Sequence, residues 1–136
     1  MASIVRILIA GAAFGLGSAA DAPPMAALSR LEPGQWTLTA HDRHAPARTV
    51  CLGDSRVLLQ LQHTGEVCSR FVIANDPNKT VVHYTCPGDG HGRTTIRVET
   101  PRLAQIESQG IDGREPFDWT LEARRTGSCQ ISSIQR

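Results

Sequence analysis

Three observations predict an all-β domain with one short helix. Apolar and polar residues alternate over several short runs, the period-two pattern of strands with one buried face. The stretch CSRFVIANDPNKTVVHYTC, Cys68 to Cys86, reads nearly as a mirror image about Pro77, as a hairpin with a thiol at each end would. The 136 residues include four cysteines, Cys51, Cys68, Cys86 and Cys129, an even set of the kind that staples small exported domains. The expected architecture is a curved antiparallel sheet or a small β-barrel, complete or incomplete, held by two disulfides.

Residues 1–20 read as a signal peptide. Arg6 precedes the apolar run ILIAGAAFGL, and Ser18 and Ala20 stand at the small-residue positions of a cleavage site. The run is too short to span a bilayer, which takes about 20 apolar residues. Cleavage after Ala20 leaves 116 residues, one domain with a modest core. No integral membrane segment is expected in the mature chain, and the expected location is the periplasm or the medium. Arg6 is the single charged residue of the first twenty, so 13 basic and 13 acidic side chains remain. A neutral chain has no bulk attraction for nucleic acid or anionic lipid, and neither is expected as a partner.

Residues 21–30, DAPPMAALSR, form a lead-in with room for one helical turn after Pro24. The β-rich domain is expected over residues 31–129, with a tail at 130–136. Pro33-Gly34 signals a turn, and Trp36, Leu38 and Ala40 then alternate with polar neighbours. HDRHAPAR is a polar connection, and Thr49 to Leu52 is a short strand. From Asp54 or Ser55, which suit an N-cap, to Gly65, a natural stop, the chain predicts a helix of about two to three turns. Its apolar face is Val57, Leu58 and Leu61.

The central hairpin follows. Folding it with Cys68 opposite Cys86 sets Arg70 against Tyr84, Phe71 against His83, Val72 against Val82 and Ile73 against Val81. Opposed residues lie about 4.5–5.5 Å apart, within reach of a disulfide, and a one-residue slip would part the thiols. Cys68–Cys86 is therefore expected, and Cys51–Cys129 follows by elimination. PGDGHG is read as a glycine-rich turn, after which Thr94, Ile96 and Val98 point inward. Ala104 and Ile106 share a face, Asp112-Gly113 signals a tight hairpin, and Phe117, Trp119, Leu121 and Ala123 alternate inward on the last strand.

These landmarks resemble a family. LEPGQWTLT near the mature start, TVCL before a helix, cysteines opening and closing a hairpin, and RRTGSC at the end are similar to the small exported bacterial proteins of domain-of-unknown-function family 3617. The resemblance runs from Leu31 to Cys129 and rests most on Pro33, Gly34, Trp36, the four cysteines and Gly127. Gln35 between Gly34 and Trp36 departs from the pattern, as does the absence of acidic and proline residues in the helix. The resemblance implies an exported β-rich domain and no assigned reaction.

No set of residues converges on chemistry. His41 and His44 flank Asp42, and His91 follows Asp89, yet there is no Cys-x-x-Cys pair and no third ligand of clear geometry, so no metal and no cofactor is expected. Asp54, Ser55 and His63 could name an acid, a nucleophile and a base, but no nucleophile elbow surrounds Ser55 and capping explains it. Glu115 and Asp118 could pair as carboxylates, but alternation puts Asp118 outside. Gly88, Gly90 and Gly92 lack the helix start that a phosphate loop needs. The expectation is a non-enzymatic protein that binds an apolar small molecule or another envelope protein through the face carrying Trp36, Trp119 and Phe117. VVHYTCPGDG also resembles a segment of periplasmic lysozyme inhibitors, so inhibition of a cell-wall hydrolase is the alternative; an unrecognised hydrolase ranks behind both.

Overall fold

The computed structural model describes residues 25–42 and 44–130. The expected signal peptide 1–20, lead-in residues 21–24 and tail residues 131–136 lie outside the described residues. Seven strands, β1 Gly34–Ala40, β2 Arg48–Leu52, β3 Ser69–Asn75, β4 Lys79–Cys86, β5 Gly90–Thr100, β6 Leu103–Asp112 and β7 Glu115–Gly127, form one antiparallel sheet in the order β2-β1-β7-β6-β5-β4-β3. The sheet is open, with β2 and β3 as its edges. Among the described residues no helix is long and apolar enough to cross a membrane.

Alternation decides which face is buried. Trp36, Leu38, Val82, Tyr84, Thr94, Ile96, Val98, Ala104, Ile106 and Ala123 are all buried on one face of the sheet. A sheet this size must cover one face, and here two 3-10 segments do so. Leu28–Arg30 is a single turn whose Leu28, with Ala27, enters the core, so the end of the lead-in is part of the domain. Ser55–His63 lies over β4, β5 and β6. Asp54 caps it, its carboxylate accepting from the Arg56 N–H at 2.9 Å.

This segment departs from the expected regular helix. The backbone breaks at Gln60 (φ −137°, ψ 45°), which rotates Leu58, Leu59 and Leu61 into the core and leaves Val57 exposed. The cause is the buried Gln60 side chain. Its Nε2 donates to the carbonyls of His63 (3.1 Å) and Glu66 (2.9 Å), and its Oε1 accepts from the Arg70 guanidinium at 2.6 Å. One amide thus replaces helical hydrogen bonds that the segment would otherwise make along its own axis.

The central hairpin forms in the expected register from Ser69↔Thr85 to Val72↔Val82, and a bulge then displaces it. Val81 opposes Ala74 rather than Ile73, and Thr80 opposes Asn75. The extra residue brings Asn75 opposite buried Thr80, where its Oδ1 accepts from the Ala26 N–H at 2.9 Å. The glycine-rich stretch after Cys86 is shorter as a turn than expected, because β5 already starts at Gly90. Gly92 belongs to the ladder and must be glycine: a Cβ there would sit 2.5 Å from Tyr84 Oη, which fills the space. The β6–β7 hairpin turns at Gly113 with φ 60°, after Asp112, as the Asp-Gly pair predicts.

Both disulfides form as expected. Cys68–Cys86 joins the hairpin at a Cα separation of 4.2 Å, and Cys51–Cys129 ties β2 to the chain just past β7 at 5.4 Å. All four cysteines are bonded.

Candidate functional site

The two tryptophans have different fates. Trp36 is 0% exposed, packed in the core, and its Nε1 donates to the Glu32 carbonyl at 3.0 Å. It is covered, so it offers nothing to a ligand. Trp119 and Phe117 lie on the same strand at the margin of the cover and are half-buried. Their rings stack with centroids 6.5 Å apart, and Trp119 Nε1 donates to Gln62 Oε1 at 3.0 Å. The expected tryptophan face is thus mostly filled by the 3-10 segments, and its open remainder is narrow.

Behind Phe117 sits a buried polar cluster that the sequence did not reveal. His63 closes the 3-10 segment, and its ring packs edge-on against Tyr84 (5.4 Å) and Phe117 (6.0 Å). Its Nε2 is 3.2 Å from the Asp89 carbonyl, which can accept but not donate, so Nε2 carries the proton. In the neutral ring Nδ1 is then the acceptor for the Tyr84 hydroxyl, 3.0 Å away. Asp112 Oδ1 lies 3.8 Å from Nε2, and Asp112 Oδ2 accepts from Gln62 Nε2 at 2.7 Å. Deeper in, the Thr94 hydroxyl donates to the Leu59 carbonyl at 2.7 Å and is 2.8 Å from Ser108 Oγ. Gln62 and His63, Tyr84, and Asp112 come from three distant parts of the chain, and no spacing signals their meeting. The cluster pins the 3-10 segment to the β4–β5 and β6–β7 turns, whose own link is the Gly113 N–H to the Asp89 carbonyl at 2.6 Å.

Burial pushes the Tyr84 hydroxyl above the ordinary tyrosine range; Ser108 beside it acts in the opposite sense, and the Asp112 carboxylate adds to the rise. The folded state therefore holds this proton more tightly than the unfolded chain. The stabilisation is fully present below about pH 10, the unfolded value, and is lost as pH rises from there through the folded value. Tyr84 is the sole tyrosine, so phenolate absorbance reports it alone. We expect its titration to run later than that of the denatured chain and to coincide with loss of tertiary signal. Ionisation at the same pH in both states would contradict the burial.

The other sequence candidates do not assemble. Asp54 is spent on its cap and on Arg56, which holds its carboxyl below the usual range. Ser55 Oγ donates to the Leu28 carbonyl at 3.1 Å, at the opposite end of the segment from His63. His41 bonds Gln105 near one end of β6, while His91 opposes Ile111 near the other. Among the described residues no group of three His, Cys, Asp or Glu side chains is placed to hold a metal ion. Glu115 opposes Asp112 at the hairpin end, and Asp118 faces the other side of the sheet opposite Gln109. In VVHYTCPGDG, Val82, Tyr84 and Cys86 are buried and Asp89 is bound to the next turn, so much of this stretch is framework.

Among the described residues, two surfaces stand open. The first is edge strand β3. Phe71 is 70% exposed, Val67 just before the strand is 91% exposed, and Val72 and Ile73 are exposed as well. Natural edges are commonly protected by charge. The one charged residue in β3, Arg70, folds in to Gln60. The opposite edge is different: β2 is five residues long and anchored by Cys51–Cys129. The second surface is the uncovered sheet face, which carries a row His83–Arg93–Gln109–Asp118 across β4 to β7. Two adjoining depressions of ≈ 340 Å³ and ≈ 390 Å³ share Arg93, Gln109 and Asp118 as their common wall.

Comparison with family models finds no match. Neither the curated proteins nor the solved structures contain a match to this chain.

Proposed function

We propose that the chain is an exported, non-enzymatic binding protein that takes an extended segment of another envelope protein onto β3. The observation that carries this reading is the edge itself: four large apolar side chains stand exposed on or beside a strand whose outer row of backbone N–H and C=O groups faces no strand among the described residues. Strand addition satisfies both at once. Main-chain hydrogen bonds supply affinity, and side chains on alternate faces of the added strand cover Phe71 on one side and Val72 on the other. The bulge at Ile73 divides the free edge and confines pairing to short segments.

Magnitude favours this site over an apolar small-molecule groove. The open part of the inner face consists of half-buried residues, whereas Phe71 and Val67 alone expose most of two large side chains. Exposed apolar clusters of this kind mark interaction surfaces. Export is supported by the Arg6, apolar-run, Ser18-x-Ala20 order and by two disulfides, which persist in oxidising compartments. The resemblance to exported family 3617 agrees with it. The non-enzymatic reading is supported by the dispersal of Asp54, Ser55 and His63 into separate structural tasks.

A photoreactive side chain at position 71 tests the proposal in exporting cells. We expect one discrete protein adduct, lost when Ile73→Lys places a charge on the edge, and no such adduct from position 107 on the sheet face. Adducts that are unaffected by Ile73→Lys would overturn it.

A further inference from the structure

We propose that the uncovered sheet face holds a second site, which binds a short peptide with both termini free, of about three residues. The site is the row Arg93–Gln109–Asp118, one residue each from β5, β6 and β7 in direct register. It presents a guanidinium, an amide and a carboxylate in that order. A ligand complementary to it carries a carboxylate, a peptide group and an ammonium in the same order.

Spacing sets the ligand's length. Neighbouring strands are about 4.8 Å apart, so Arg93 and Asp118 are separated by about 9.5 Å at the backbone. An extended peptide advances about 3.3–3.6 Å per residue, which places the two termini of a tripeptide about 9–10 Å apart. Arg93 can hold the terminal carboxylate by two parallel hydrogen bonds. Gln109 carries both a donor and an acceptor for a backbone amide. Asp118 accepts from the terminal ammonium.

The charges of this row are uncommitted. Some surface charges elsewhere are paired, Asp54 with Arg56 at 2.7 Å, Glu32 with Arg102 at 2.9 Å and Glu122 with Arg124 at 3.1 Å. Among the described residues, the side chains of Arg93, Gln109 and Asp118 make no hydrogen bond or ion pair within the chain. Gln109, on the strand between them, keeps the two charges two strand spacings apart. The adjoining depressions give a bound peptide different surroundings on its two sides. His91 and Ile111 line one, where an apolar side chain meets Ile111, and Thr95, Glu107 and Thr120 line the other.

Trialanine with free termini is the probe, followed by calorimetry and by amide shifts in a ¹⁵N-labelled protein. We expect saturable shifts centred on residues 93, 109 and 118, and weakening by about tenfold when either terminus is capped by acetylation or amidation, the loss of one charge-assisted contact. Arg93→Met should erase the difference between trialanine and its amide while keeping the penalty for acetylation. Asp118→Asn should do the reverse. Both residues are on the surface, and these variants should keep the thermal stability of the parent. Shifts that do not saturate, or capped peptides that bind as well as the free one, would overturn the proposal. So would variants that lower the affinity for all three peptides equally.

Discussion

Trp36→Ala is expected to destabilise the domain by about 3–5 kcal/mol, the range for removing a fully buried large aromatic side chain. Trp36 is fully buried in the core cluster that also holds Leu38, Leu52 and Ala123, and its indole N–H is satisfied by the Glu32 carbonyl. Alanine leaves a void and orphans that carbonyl together. Domains of this size have about 5–15 kcal/mol in total, so the variant should approach unfolding at physiological temperature. Trp119→Ala should cost clearly less, because Trp119 is half-buried and already meets solvent. Urea unfolding of the oxidised variants measures both. Equal losses would mean that the two tryptophans are equally covered.

Replacing both Cys51 and Cys129 with serine is expected to cost about 4.5 kcal/mol in the chain-entropy model, against about 3 kcal/mol for the Cys68/Cys86 pair. The difference follows from sequence separations of 78 and 18 residues. The short loop is also held by the β3–β4 ladder, so its loss leaves the hairpin in place. The long loop joins β2 to the end of β7, and these flank β1 on either side. Its loss frees the β2 edge as well as enlarging the unfolded ensemble. Unfolding of the two double-serine proteins gives the ranking, and the reverse ranking would contradict this account.

Local pattern alone makes much of the fold legible. Alternation named Trp36, Leu38, Thr94, Ile96, Val98, Ala104 and Ile106 as inward, and all are buried. The mirror symmetry of residues 68–86 gave the register as far as Val72↔Val82. The bulge beyond it was not legible, because Ile73 and Ala74 suit a strand equally well. What selects the bulge is Ala26, remote in sequence, whose N–H meets Asn75. The break at Gln60 has a similar origin, since two of its partners, Glu66 and Arg70, lie beyond the segment and outside any helical repeat.

The candidate site was legible in part. Periodicity puts Trp36 and Trp119 on one face, and it carries no information about what lies above each. Coverage is set by where residues 55–63 dock, which is over β4 to β6, and this is decided by the His63–Tyr84–Asp89 contacts made across the fold. The exposed edge was hidden for another reason. The strongly apolar run from Phe71 to Ala74 reads as a core strand, and its place at the edge depends on the order of all seven strands.

Amide hydrogen exchange of the oxidised protein, alone and with the partner recovered at position 71, tests the central claim most directly. Strand addition predicts that the solvent-facing amides of Ser69–Asn75 exchange quickly in the free protein and are strongly slowed in the complex, with Trp36 and its neighbours unchanged. Protection that appears on the inner face at Phe117 and Trp119, with β3 still exchanging freely, would contradict it.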